Sequence, residues 1–461
     1  MSETESSHPG TSFGASAEPS PVGSGLALPW PTPRAAWTIL TVVSLAYVLS
    51  YIDRIVINLL VEPIQDAFSI NDTQFGALQS LAFGIFYVAL GIPIARIADR
   101  SNRRRVIGIG VFVFGLFTVL SGLARTYAQL FLARVGVGSG EAAVSPAAYS
   151  LIADSFPPEK LGRAISVFTM TAFMGIGLAY LAGGLVIGTL ESVGNVTLPL
   201  LGELEPWRMT FIIVGIPAIL FAPLMLAVKG APRRDTRPPA SMGQVVGHLR
   251  KRGRAFAFIF FGFSVIAFSS YASTVWNPAL LIRVFGLSPV EVALALGIIY
   301  LTIGPMGALL GGHLCDRYTS RGHVSAPLTI AAIGYIPACL FGIAAPLAPT
   351  TEIALVCLAL AAFFGMLPYP LAATAIQLIT PGRMRGQVSA VYLTIVNLIG
   401  LGLGPMITGA LTDFVFSGPT DIKYSLAWIN GAALPFAVIA LWWGRSAYRR
   451  ARAEEIEDAA L

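Results

Sequence analysis

The sequence predicts an all-α integral membrane protein of twelve transmembrane helices arranged in two similar six-helix halves. Three observations carry that expectation: long runs almost free of charge, a lopsided distribution of basic residues between alternate loops, and motifs repeated at a near-constant spacing. Of the residues, 55% are apolar and only 12% charged, with a mean hydropathy of +0.73. A soluble domain carries about a quarter charged residues, so water is not the main solvent of this chain.

A helix that crosses the hydrocarbon core needs about 20 predominantly apolar residues. Uncharged stretches meet this at Thr73 to Ala95, Val106 to Ala124, Ala164 to Leu190, Met209 to Val228 and Ala255 to Ile282, which become helices 2, 3, 5, 6 and 7. Val292 to Cys315, Val324 to Thr350, Ile353 to Gly382, Gln387 to Thr412 and Ser425 to Gly444 become helices 8 to 12. Helices 1 (from Ala35) and 4 (Thr126 to Ala153) are long enough but contain embedded charge. Residues 1–33, rich in Ser, Gly and Pro, read as a disordered tail. The first bundle is then 34–229, a basic, proline-bearing linker 230–254, the second bundle 255–445 and a C-terminal tail 446–461.

Assigning Lys and Arg to alternate loops puts 24 of the 30 on the side of both termini and only Arg125, Arg208, Arg283 and Lys423 on the other. Basic residues stay on the cytoplasmic side, so both termini are expected there, in a multi-pass protein of the plasma or inner membrane. The net charge of +6 is thus a topology signal and not a nucleic-acid one. Cys315, Cys339 and Cys357 form no CxxC, and His8, His248, His313 and His323 are scattered, so neither a disulfide framework nor a metal site is expected. No His-Glu-x-x-His or phosphate-binding loop is present, and no Gly-x-Ser-x-Gly lies in or between the spans, which argues against an enzyme and against nucleotide-driven transport. A channel would need a filter or a charge ring built from repeated segments, and the intramembrane charges occupy one half only. Secondary transport by a monomer, with no cofactor other than protons, is the expectation.

The repeat lies in the turns. Ala95-Arg-Ile-Ala-Asp99-Arg100 after helix 2 matches Gly312-His-Leu-Cys-Asp316-Arg317 after helix 8, an offset of 217 residues. Gly175, Gly177 and Gly184 of helix 5 match Gly400, Gly402 and Gly409 of helix 11, an offset of 225. On these motifs, over residues 35 to 445, the chain resembles the major facilitator superfamily, whose loop motif is Gly-x-x-x-Asp-Arg followed by basic residues. The first copy departs from it at Ala95 and Asn102 but keeps Asp99, Arg100, Arg103, Arg104 and Arg105. Tyr51-Ile-Asp53-Arg54, Leu78-Gln79-Ser80, Asp99-Arg100-Ser-Asn-Arg103 and Arg134-Val-Gly136-Val-Gly138-Ser-Gly140-Glu141-Ala142 are similar to the Spinster branch of lipid transporters. That resemblance implies a lysophospholipid or sphingoid-phosphate substrate. Organic-anion symporters of the same superfamily, which also carry an Asp-Arg pair in helix 1 and a Glu in helix 4, are the alternative.

Four ionisable residues fall well inside the spans: Asp53 and Arg54 in helix 1, Arg134 and Glu141 in helix 4. A charge at bilayer depth costs about 2.5–3.5 kcal/mol on insertion scales, so each is read as an inward-facing functional group. Arg134, Gly138, Glu141 and Ser145 share one helical stripe, expected to line the cavity, and Gly136 and Gly140 another, where a neighbouring helix can approach. Asp53 and Arg54 point about 100° apart, so only one is expected to meet helix 4. Glu141, assisted by Asp53, is the expected proton carrier, with Arg54 and Arg134 pairing with carboxylates or an anionic headgroup. Asp99, Arg100, Arg103, Asp316 and Arg317 are expected to gate the cytoplasmic side by pairing across it. In the second half Tyr271, Thr274, Trp276, Asn277, Tyr369 and Asn397 are expected to line the cavity, a wall suited to an amphiphile.

Overall fold

The computed structural model describes residues 30–199, 202–228, 230 and 241–460, with side chains for all of these except 92, 95, 96, 98–100, 158, 172, 173, 198, 459 and 460. Among the described residues eleven helices are long and apolar enough to cross a membrane. The twelfth span, helix 4, is interrupted: it runs Tyr127–Glu141, turns at Ala142 and Ala143, and resumes as Val144–Ser155. The cause is local. Pro146 has no N–H for the Ala142 carbonyl, and the Ala143 N–H closes a tight turn onto the Gly140 carbonyl at 3.2 Å. Helix 10 breaks in the same way, between Thr351–Met366 and Tyr369–Leu378, at Pro368 and Pro370. Val144 and Tyr369, where the two helices resume, are 225 residues apart, the offset of the glycine triplets. Helices 2 and 8 share a second irregularity, widening to π-helical turns at Leu78–Ile85 and Ile299–Ile303.

Two boundaries move. The C-terminal tail is not separate from the bundle, because helix 12 continues from Ile422 to Ala460. Its acidic end is held by Arg252, nearly sealed from solvent, which pairs with Glu454 at 3.5 Å, Glu455, and Asp458 at 2.9 Å. The linker holds a short helix, Met242–Lys251, started by a capping box between Ser241 and Gln244. Of the N-terminal tail, residues 1–29 lie outside the described residues. One small β-hairpin, Val196–Leu198 with Gly202–Leu204, joins helices 5 and 6.

The halves meet at the face opposite the termini. Glycines bring them together: a Cβ on Gly76 of helix 2 would sit 2.7 Å from the Pro405 carbonyl oxygen of helix 11, and one on Gly177 of helix 5 would sit 2.6 Å from the Leu301 nitrogen of helix 8. Arg283, ending helix 7, spans the seam there. It grips Asp72 with two bonds of 2.7 and 2.9 Å, Gln65 at 2.7 Å and Glu62 at 2.5 Å. Asp413 of helix 11 reciprocates, accepting the Thr73 N–H at 2.7 Å and the Asp72 N–H at 3.3 Å at the start of helix 2. Buried apolar side chains follow the same pattern. One core joins both halves around Phe75, Trp276 and Leu280. Toward the tail face it divides into a cluster of the second half and one built on the first half with Leu401 of helix 11. Every ion pair between the halves among the described residues lies at the opposite face. Among the described residues the contacts between the halves are thus concentrated at that face.

Candidate substrate and ion-pairing site

Asp53 and Arg54 come from the second half of helix 1, where the chain has crossed most of the apolar layer. Being neighbours they diverge, yet both reach helix 4, contrary to the expectation that only one would. Arg134 and Glu141 lie seven residues apart, about 10 Å along the helix, and each takes one of the two. Arg134 Nη1 donates to Asp53 Oδ2 at 3.1 Å, and Arg54 Nη2 bonds Glu141 Oε2.

The pairs differ in access. Arg134 is fully buried and the Asp53 side chain 2% exposed, whereas the Arg54 side chain is 13% exposed while Glu141 is sealed. The deep pair sits in a buried polar network. Thr118 Oγ1 donates to the other Asp53 oxygen, and Arg134 Nη2 donates to Gln79 Oε1 at 3.2 Å. Gln79 Nε2 donates to Asn58 Oδ1 at 2.6 Å, and Asn58 reaches the Thr274 carbonyl of helix 7 at 3.5 Å. Polar contact thus runs from the first-half charges to the second half. Each arginine leaves its Nε without a hydrogen-bond partner among the described residues, and in the upper pair Glu141 Oε1 lacks one as well. Aromatic faces surround Arg54 instead, with Phe83, Tyr87 and Tyr51 centred 4.9, 5.1 and 5.3 Å from its guanidinium carbon. Tyr47 stacks on Phe168 and meets Tyr51 edge-on, and Tyr149 meets Phe168. From the other half Tyr271, bonded to Asn397 at 3.2 Å, lies within electrostatic reach of Arg54. Tyr369 of helix 10 is 59% exposed and Tyr149 of helix 4 is 40% exposed at the mouth.

Several expected roles change. The helix 4 stripe does not line the cavity as one surface: Arg134 is interior, Gly138 is a notch for the Phe83 carbonyl, and the turn after Glu141 separates Ser145 from the rest. Gly140 does admit a neighbour, since a Cβ there would meet the Phe114 nitrogen of helix 3 at 2.5 Å. Trp276 is no cavity residue. It is fully buried in the seam, edge-on to Phe75, with its indole N–H on the Pro405 carbonyl at 2.8 Å. Asn277 is likewise buried, and Thr274 is half-buried with its hydroxyl on the Ser270 carbonyl at 2.9 Å. Arg103 does not reach across the halves; it pairs with Asp154 and bonds Ser150, both on helix 4. Asp316 and Arg317 are exposed, and the side chains of Asp99 and Arg100, which end helix 2, lie outside those described.

Sequence reasoning missed the seam. Arg283 enters the sequence analysis only as one of the four basic residues of the far side, and the signal that raises it is one isolated Arg opposite the acidic residues Glu62 and Asp72 on the side poor in basic residues. Gln79 and Asn58 were overlooked as functional groups because amides carry no formal charge. Among the described residues no cluster of His, Cys, Asp and Glu could hold a metal ion.

Comparison with known proteins follows the same lines. The Major Facilitator Superfamily profile matches residues 43–405 and 260–459. An MFS-type efflux pump of Mycolicibacterium smegmatis is 30% identical over 437 residues, covering 92% of this chain and 96% of its own. Protein spinster homolog 1 of Xenopus tropicalis is 26% identical, over 84% of this chain and 74% of its own. Among solved structures, a bacterial homologue of the human lysosomal transporter Spinster, in an inward-facing and unoccupied conformation, superposes with a TM-score of 0.75 at 27% identity. It covers 93% of this chain and 99% of that one.

Proposed function

We propose that this chain, which belongs to the major facilitator superfamily and is a transporter and not an enzyme, moves an amphipathic, anionic, lipid-like molecule by alternating access coupled to protons. The termini face the cytoplasm of a plasma or inner membrane, and the monomer is the working unit. The observation that carries the reading is the division between the two ion pairs: Arg134 and Asp53 are sealed and tied to Thr118 and Gln79, whereas Arg54 is partly exposed and Glu141 keeps one oxygen without a hydrogen bond. Arg134 and Asp53 hold helices 1 and 4 together. Arg54 and Glu141 exchange partners.

The chemistry follows from the geometry. While Glu141 is ionised it occupies Arg54, and the guanidinium is unavailable to an anion. A proton on Glu141 cancels that attraction and leaves Arg54 to a phosphate or carboxylate headgroup, with Tyr51, Tyr87 and Tyr271 beside it. The proton and the headgroup therefore enter together, and each stabilises the other's site, as linkage requires. The apolar part of the substrate extends along the tyrosine-lined mouth toward Tyr149 and Tyr369. The resemblance of the helix 1 and helix 4 motifs to the Spinster branch supports a lysophospholipid or sphingoid phosphate. A second reading, a small organic anion or drug, draws on the same Arg54 and on the relative called an efflux pump.

The test uses proteoliposomes with and without an imposed pH gradient, and mass spectrometry of lipids retained through purification. Enrichment of a single-chain anionic lipid and loss of gradient dependence in Glu141→Gln support the proposal. Unchanged gradient dependence in both Glu141→Gln and Asp53→Asn overturns the coupling. Retention of no anionic lipid, with saturable uptake of a small anion, selects the second reading.

A further inference from the structure

An apolar surface feature lies outside the bundle interior, on the second half. Helices 9 (Ala326–Ala344) and 12 diverge toward the tail face and leave an apolar groove of about 300 Å³ lined by Ile333, Ile336, Val438 and Ile439. Trp442 and Trp443 floor its outer end and are shared with a wider recess of about 510 Å³ bounded by Arg445, Ser446 and Arg449. Each half of this surface has its own logic. Ile333 and Ile336 are three apart on helix 9, and Val438 and Ile439 precede Trp442 and Trp443 by four on helix 12, so both helices present one stripe. From Val438 to Arg445 the helix rises roughly 10 Å, enough for part of an acyl chain.

The head of the groove carries uncompensated positive charge. The Arg445 guanidinium carbon lies over the Trp442 ring, 3.3 Å from its centroid, and its Nε donates to the Trp442 carbonyl at 3.0 Å. Among the described residues no carboxylate pairs with Arg445 or Arg449. The contrast is within one helix, because the nearby acids Glu454, Glu455 and Asp458 all turn to Arg252. Trp442 and Trp443 are 43% and 65% exposed, the exposure of indoles at a membrane–water interface. Two arginines at headgroup depth above an open apolar slot match one molecule: a diacyl lipid with an anionic phosphate.

We propose that the helix 9–helix 12 groove is a binding site for an anionic membrane phospholipid, its phosphate on Arg445 and Arg449 and one acyl chain along Ile333, Ile336 and Ile439. This site is independent of the transport cavity. Its experiment is native mass spectrometry of the full-length protein in detergent, with equimolar phosphatidylglycerol and phosphatidylcholine added. Wild-type protein is expected to retain phosphatidylglycerol about tenfold over phosphatidylcholine, and Arg445→Gln with Arg449→Gln to bring the ratio near unity. Ile336→Trp fills the slot while keeping the arginines, and should lower retention of phosphatidylglycerol. An unchanged ratio in the double variant, or undiminished retention in Ile336→Trp, overturns the site. A thermal-melting arm separates the headgroup from the whole lipid: stabilisation by glycerol 3-phosphate equal to that by phosphatidylglycerol would also overturn it.

Discussion

Replacing Arg283 by Gln should open the face opposite the termini. Arg283 and Asp72 face each other at the seam with side chains 6% and 5% exposed, in a two-bond arrangement, and Gln65 adds a third contact. Glu62 adds less, because its side chain is 39% exposed and salt screens that arm. In the state that opens outward all these groups return to water, so only the difference between states counts. Charge-assisted bonds of this kind contribute about 2–3 kcal/mol net after rehydration, which shifts the equilibrium between states by a factor of about 30–150. Spin-label distances between helices 1 and 7 at the opposite face, in reconstituted protein, would report the populations. Asp72→Asn should produce a shift of the same sign, and the double variant little more than either alone, since the two changes remove one interaction. Additive shifts, or a distance distribution unmoved by Arg283→Gln, would refute the claim that this cluster holds the halves together.

Two further outcomes follow from the structure. Arg134→Met leaves Asp53 buried opposite an apolar side chain and should destabilise the folded protein by about 3–5 kcal/mol in detergent unfolding. The double variant with Asp53→Asn should recover part of that loss; no recovery would mean that Arg134 acts through packing alone. His248, in the linker helix, has its affinity for a proton lowered by burial and then by neighbouring Arg252, against an opposing pull from Glu455. In the docked helix its ring nitrogen lies 3.2 Å from the Ile379 carbonyl, a contact that offsets part of the lowering. The unfolded or undocked helix binds more protons, so docking is complete above the ordinary histidine range and weakens as pH falls through it. Hydrogen exchange of residues 242–251 should therefore quicken on acidification, and much less so in His248→Gln.

Much of the architecture was legible because the bilayer imposes it. Asp53, Arg54, Arg134 and Glu141 stand out in a sequence with few charges, since each would be expensive in lipid without a partner. Their pairing was not legible: sequence neighbours on helix 1 had to reach different turns of helix 4, and that depends on the crossing of two helices. The turn after Glu141 was hidden in an unbroken apolar run, although Pro146 was its sign. Trp276 was assigned to the cavity because periodicity cannot distinguish a wall of the cavity from a wall of the seam. Arg252 and its acidic partners lie about 200 residues apart, so a helical end to the chain was invisible until both were placed. Repetition was a better guide to shape than to chemistry. Met366 of helix 10 stands 225 residues after Glu141, at the corresponding break, and carries no charge.

Phe83 lies at the junction of these parts. Its ring is centred 4.9 Å from the Arg54 guanidinium carbon and 5.4 Å from that of Arg134, and its backbone carbonyl fills the notch at Gly138. A residue gripped at its backbone by one helix and touched on its ring by two cations behaves as an anvil. On the proposed mechanism, release of Arg54 by Glu141 would carry the guanidinium across a surface fixed by the Gly138 notch. Exchange of partners at the upper pair would then leave the Arg134–Asp53 pair, and the register of helices 2 and 4, undisturbed.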